Sequence, residues 1–251
     1  MAKLKSKVGP LSLVPLLREL RNAERDARPI AVAGARELVP LLARELRAGG
    51  DPSAVVEGES RGASVLVWVG TADEGALRSA DREGVPIVAV TDSPSLPYVL
   101  AEDLVRVPPG EGFPIERIAA AIARKLGDDG PALAARLPVL RASVCDHLIR
   151  TASRRNAAIG AAVFVPGVDL PILTLNQVRL VLRIALAYGE QIDRARAVEL
   201  LGVVGAGFGF RAVARELLDL VPVAGWALKG AVAYTGTRAI GEAAVRYFEA
   251  R

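Results

Sequence analysis

Apolar positions along this chain change period twice. Between residues 10 and 28, Leu13, Val14, Leu16, Leu17 and Leu20 form a stripe at helical spacing and charges fill the remaining positions, which predicts an amphipathic helix in an N-terminal segment over 1–28. From 29 the apolar residues gather into short valine-rich runs: "PIAVAGA" (29–35), "SAVVEG" (53–58), "SVLVWVG" (64–70), "VPIVAVTD" (85–92) and "DLVRVPPG" (103–110). Each run is closed by Gly, Pro or Asp, and helical patterns intervene at about 36–48, 72–83 and 114–127. Continuous apolar strands alternating with helices predict an α/β domain over 29–130, a mostly parallel sheet with helices on both faces. Beyond "GDDGP", with Pro131 suited to a first helical turn, the strand signal stops. Helices are expected at about 132–163, 173–188, 193–219 and 225–249, so residues 131–251 read as an all-α bundle of helical hairpins.

Composition narrows the class. Hydrophobic residues make up 51% of the 251 and aromatics only 4%, so the core must be aliphatic. The net charge of +4, from 32 basic and 28 acidic residues, fits a solvated surface as readily as an anionic partner. Basic residues are scattered among acids and few aromatics are available for stacking, which argues against nucleic acid. "MAKLKSK" concentrates lysines without an apolar core and cleavage site behind it, unlike a secretory signal. A lone cysteine, Cys145, excludes an internal disulfide and fits a reducing compartment. These features point to the cytoplasm.

Ligands of such sheets bind where strand C-terminal ends meet helix N-termini, and the motifs expected there are absent. Counting a phosphate loop from Gly34 puts Val39, Pro40 and Leu41 where a glycine, a lysine and a hydroxyl are needed. Glu37, Asp73, Glu74, Asp92 and Glu111 fall at the same end. Carboxylates there satisfy helix N–H groups and repel phosphate. The segments "RPIAVAGA", "GASVLVWVGTADEGALRSADREGVPIVAVTD" and "LVRVPPGEGFPIERIAAAIARKLG" resemble the skeleton of an Era-like GTPase domain over about 100 residues. The resemblance implies a truncated P-loop-GTPase-like fold. The N-K-x-D tetrad would fall on Thr91, Asp92, Ser93 and Pro94, and "ESRG" (59–62), an echo of D-x-x-G, leaves no room for a switch helix. A minimal anion site at Gly34, Ala35 and Arg36 is the alternative.

In the helical half, Cys145 and His147 lie two apart on a helix and point away from each other, and no second cysteine or histidine exists to complete a metal site or triad. Arg150, Arg154 and Arg155 read as a solvated face. No catalytic set, cofactor or metal is expected. Two Val-Pro turns between long helices are unusually apolar. One carries Phe164, Val165, Pro166, Val168 and Leu170, the other Val221, Pro222, Val223 and Trp226. The longest uncharged runs, about 13 and 11 residues, fall short of the roughly 20 a spanning helix needs. The tips either dip into a membrane interface or pack on protein, this chain or a second copy. "GVVGAGFGF" (202–210) is no phosphate loop, since its spacing is wrong and no strand precedes it. Gly202, Gly205 and Gly209 share one helix face and predict a close packing seam.

"PILTLNQVRLVLRIALAYGE" (171–190), "GAGFGFRAVARELLDLVPVAGW" (205–226) and "AYTGTRAIGEAAVRYF" (233–248) resemble the YcjF-type helical domain, a bacterial family of unknown function that often follows an Era-like GTPase domain. Membrane association is implied by that resemblance. The combined expectation is a non-catalytic adaptor, a pseudo-GTPase-like domain fused to a helical domain that docks on a protein partner, on itself, or peripherally at the inner face of the cell membrane. A nucleotide-responsive regulator with a divergent pocket is the alternative.

Overall fold

The computed structural model describes residues 13–25, 27–108, 110–162, 170–193 and 225–251. The order of elements is α1 (Leu13–Arg25), β1 (Ile30–Gly34), α2 (Val39–Arg47), β2 (Val55–Glu57), β3 (Val65–Val69), α3 (Glu74–Arg82), β4 (Ile87–Thr91) and β5 (Leu104–Arg106). Helices α4 (Ile115–Lys125), α5 (Gly130–Arg136), α6 (Arg141–Ala162), α7 (Leu170–Ala187) and α8 (Gly225–Glu249) follow. The described residues fall in two compact units. One spans Ala23–His147 with Ala187–Gly189, and the other takes Met1–Asn22, Leu148–Leu186 and Glu190–Arg251.

The sheet unit is built on five parallel strands in the order β2-β1-β3-β4-β5. The valine-rich runs become strands because both faces are covered. Register stacks Ala31 on Leu66 and Ile87, and Ala33 on Trp68 and Ala89. Leu77 and Ala80 of α3 close that face. The alternate positions Val32, Val67 and Val88 form the opposite face, fully buried; α2 packs on β1 and α4 on β3 and β4. Side chains such as Leu42, Leu46, Ile118 and Ile122 are wholly buried, each worth about 2 kcal/mol relative to exposure.

On the outer strand β2 the polar groups of Val55 are engaged. The Val55 N–H goes to the Pro52 carbonyl. The Val55 carbonyl accepts from Arg47 Nε and Nη2 at 3.3 and 2.8 Å, and Arg47 Nη1 holds Glu57 at 2.9 Å. At the other edge, Arg124 donates to the Glu102 carbonyl just ahead of β5.

A single helix over 132–163 is not what forms. Leu137 sits at φ −125°, ψ 91° and a short 3-10 turn, Pro138–Leu140, separates α5 from α6. Pro138 disfavours the α region for the residue before it and has no N–H to continue the ladder. The boundary at 130/131 and the division into units do not coincide. Leu133, Leu137 and Leu140 are fully buried, the 3-10 turn packs on α4, and Arg136 reaches Asp51 at 3.0 Å. Most of α1 lies in the helical unit instead, where Leu16, Leu17 and Leu20 pack on Leu182 and Leu186 of α7 and Glu19 meets Arg179 at 2.7 Å.

In the helical unit, small residues let α6 and α8 approach closely. A Cβ on Gly160 would lie 3.1 Å from both the Ala233 Cβ and the Lys229 carbonyl, and one on Gly230 would lie 3.1 Å from the Ala157 carbonyl. A polar cluster joins three helices in this interior. Asn156 Nδ2 donates to Thr237 Oγ1 at 2.8 Å, and Asn176 Nδ2 donates to Asn156 Oδ1 at 2.8 Å. Asn156 and Thr237 are both fully buried.

Candidate functional site

The strand order reverses its winding between β1 and β3, where a doubly wound sheet opens a ligand crevice at the strand C-terminal ends. A crevice of about 760 Å³ lies there, within the range of small-molecule pockets. The local sequence decides what its floor offers. Gly34, at φ +125°, comes so close to β3 that an added Cβ would sit 2.0 Å from the Val69 carbonyl, and Gly70 at φ +100° lies against Ala35. That closeness lets the Ala35 N–H donate to the Val69 carbonyl at 2.8 Å. The same motif repeats along the row: Gly70 N–H bonds the Val90 carbonyl at 2.8 Å, and Val107 N–H bonds the Thr91 carbonyl at 2.9 Å. These amides satisfy neighbouring strands and face no ligand.

The start of α2 extends the pattern. The Leu38 and Val39 N–H groups both donate to the Ala35 carbonyl, at 2.9 and 3.0 Å. Pro40 in the first turn has no N–H, and no side chain caps the helix. A phosphate-binding helix start needs free amides at this point. Leu41, in the place a phosphate loop gives to a hydroxyl, is 44% exposed and lines the crevice instead. Leu38, Val107, Pro108 and Phe113 add further apolar surface. The charged groups of the lining are Arg44, Glu45, Asp92 and Glu111, with Arg44 and Glu45 3.8 Å apart.

Residues singled out from sequence are distributed unevenly about this crevice. Gly34 ends β1, the Ala35 amide is bonded to Val69, and Arg36 is exposed outside the lining. Asp73 is taken up by its own helix, accepting from the Gly75 and Ala76 amides at 3.0 and 3.2 Å. Glu74 pairs with Arg78, which also donates to the Tyr98 hydroxyl at 3.0 Å. Tyr98 is held at φ +64°, a conformation costly for a bulky side chain. Glu59, Ser60 and Arg61 of "ESRG" line a separate depression of about 280 Å³, where Ser60 meets Glu83 at 3.2 Å. Cys145 is buried, and Arg150, Arg154 and Arg155 are exposed.

The apolar tips and the glycine seam stand apart. Phe164, Val165, Pro166, Val168, Val221, Pro222 and Val223 lie outside the described residues, as do Gly202, Gly205 and Gly209. Leu170 and Trp226 are described only as backbone, in the first turns of α7 and α8. Following Leu170 on α7, Ile172 and Leu175 are 49% and 42% exposed.

Sequence reasoning missed the crevice lining from α2 and from the turn before α4. The sequence places Leu41 at a phosphate-loop position without reading it as lining, and gives Leu38 and Phe113 no role. A signal was present, since Leu41 lies off the Leu42, Ala43 and Leu46 stripe that α2 buries, and Leu38 stands three positions before it. Among the described residues, no group of His, Cys, Asp and Glu is arranged to hold a metal ion, and no helix is long and apolar enough to cross a membrane. No family model, curated protein or solved structure matches the chain.

Proposed function

We propose that this chain is a non-catalytic adaptor. In this reading a GTPase-like sheet domain has closed its phosphate end, and a YcjF-type helical domain docks on a protein partner or on the inner face of the cell membrane. The observation that carries the first half is the β1–α2 link. The Ala35 amide is bound to Val69, the Leu38 and Val39 amides to Ala35, and Pro40 supplies none. A triphosphate entering there would meet apolar side chains and carboxylates where it needs N–H groups and a lysine. For the second half, the exposed Ile172 and Leu175 extend along α7 the apolar character of the preceding 163–169 sequence. Exposed apolar residues grouped in this way mark contact surfaces.

Isothermal titration of the full chain with GTP, GDP and ATP plus magnesium tests the first half. No heat of binding is expected. Micromolar affinity would favour the second reading, a nucleotide-responsive regulator, for which the crevice volume of about 760 Å³ is the supporting observation. Co-sedimentation with anionic vesicles tests the second half, comparing wild type with a Phe164→Asp, Trp226→Asp double variant. Loss of binding with an unchanged circular dichroism spectrum would support insertion of the tips. Absence of wild-type binding at low salt would leave a protein as the docking target.

A further inference from the structure

We propose that the crevice at the strand C-terminal ends captures a short basic–apolar peptide segment of a partner protein, with an arginine or lysine set between aliphatic residues. The inference rests on the adaptor reading, because it requires a crevice that does not hold a nucleotide.

The floor excludes anions for the reasons given above, since its backbone donors serve neighbouring strands. What it offers is apolar. Leu38 and Leu41 are 36% and 44% exposed, and the half-buried Phe113, just ahead of α4, lines the same crevice. Leaving two leucines this exposed forgoes hydrophobic stabilisation, so an apolar occupant gains what folding did not.

Charge then selects among apolar occupants. Glu45, Asp92 and Glu111 are all exposed at the lining, against Arg44 alone. Arg44 is placed to offset Glu45, at 3.8 Å. Asp92 and Glu111 have no ion-pair partner among the described residues. The whole chain carries +4, so a negative rim opposes the average sign of the molecule. Such a rim steers cations toward the cleft and repels acidic ligands. The Phe113 ring can add a cation–π contact to a guanidinium or ammonium brought between the carboxylates.

A peptide fits better than a small amine. Leu41 on α2 and Leu38, its N-cap residue, stand three apart, and with Val107, Pro108 and Phe113 they form an apolar ridge longer than one amine-bearing group would cover. A segment with aliphatic residues on either side of one basic residue would cover the ridge and place its charge at the rim together.

Fluorescence anisotropy tests the proposal. A fluorescein-labelled, amidated peptide of alternating leucine and arginine is titrated with the full chain, in parallel with versions carrying Glu for Arg and Ser for Leu. The Leu–Arg peptide should bind with micromolar affinity that weakens as salt rises, and the other two should bind about tenfold more weakly or worse. Asp92→Asn with Glu111→Gln, and separately Leu41→Ser, should each weaken the Leu–Arg peptide about tenfold. All three residues are exposed, and unchanged circular dichroism confirms the fold. No binding of the Leu–Arg peptide, or binding indifferent to both variants, overturns the proposal and leaves the adaptor reading standing. Equal competition by arginine methyl ester at the same concentration overturns the peptide as occupant. Displacement of the peptide by GTP with magnesium overturns this proposal and the adaptor reading together.

Discussion

In the sheet unit, Gly34 and Gly70 sit at strand ends with φ of +125° and +100°, the first pressed against the backbone of β3 at Val69 and the second against the Ala35 Cβ. In the helical unit, Gly160 and Gly230 sit inside α6 and α8 with ordinary helical backbone, where their lack of a side chain lets the helices approach. The first pair is required for conformation, the second for size. The polar groups of the two units differ in a parallel way. The sheet unit keeps its buried polar side chains, Ser64, Thr91 and Asp103, at strand ends around an apolar core, with Asp103 paired to Lys125 at 2.5 Å. The helical unit places Asn156 and Thr237 in its interior, hydrogen-bonded across helices. A glycine-rich sequence therefore carries no chemistry of its own until the element around it is known. A glycine after a strand and a glycine in a helix answer different constraints.

The largest effect should come from substituting the conformational glycine. Gly34→Ala places a Cβ 2.0 Å from the Val69 carbonyl at φ +125°, and should cost about 3 kcal/mol or more in urea denaturation. Gly160→Ala meets Ala233 at 3.1 Å and should change stability by about 1 kcal/mol or less, because crowding offsets the gain in helix propensity. Equal costs at the two sites would break the distinction. Asn156→Ala comes next. It leaves the buried Thr237 hydroxyl without its 2.8 Å donor and the Asn176 amide without its acceptor. A loss of about 2 kcal/mol is expected, and a cycle with Thr237→Val should be non-additive. Additive costs would show that the polar cluster does not act as a unit.

Asp73→Ala removes the cap of α3 and should cost about 1 kcal/mol. Faster amide exchange at Gly75 and Ala76 should accompany it, with the helical unit unchanged; exchange changes spread over both units would contradict a local role. The smallest effect concerns pH. The Asp51 carboxyl is held below its ordinary value of 3.8, first by hydrogen bonds from the Ser53 side chain and backbone and then by Arg136. A depressed folded pKa means that the stabilisation is complete at neutral pH and is lost as pH falls through the acidic range below 3.8. Asp51→Asn should therefore lower stability slightly at neutral pH, leave it nearly unchanged at the acid end where the carboxyl is protonated, and so shallow the acid limb of the stability curve. An unaltered acid limb would show that the link from Asp51 to Arg136 is not coupled to folding.

The sheet was legible because its strands obey a rule that sequence carries directly. Ile30–Gly34, Val65–Val69 and Ile87–Thr91 are buried on both faces, so they read as unbroken apolar runs. Helices α3 and α4 were legible from their stripes and from Asp73 as a cap. The break at Leu137–Pro138 was signalled by the proline, although the surrounding apolar pattern favoured one long helix. What sequence could not convey were relations between distant positions. Asn156, Asn176 and Thr237 look like ordinary polar helix residues until three helices bring them together. Leu16, Leu17 and Leu20 announce a buried face without naming α7 as its cover. The crevice lay between these cases: its strand ends were located, whereas the apolar lining from α2 and Phe113 depended on the path of the turn before α4.

Arg47 has a consequence for how this protein associates. An open edge strand is a template, since its free N–H and C=O groups invite another chain to extend the sheet, in self-assembly or in fibrils. At β2 the Val55 groups are already matched, the N–H by Pro52 and the carbonyl by two guanidinium donors. An incoming strand would have to displace a charged side chain that also holds Glu57. Strand addition at that edge must first break the Arg47 contacts, which makes it a poor template for recruitment or aggregation.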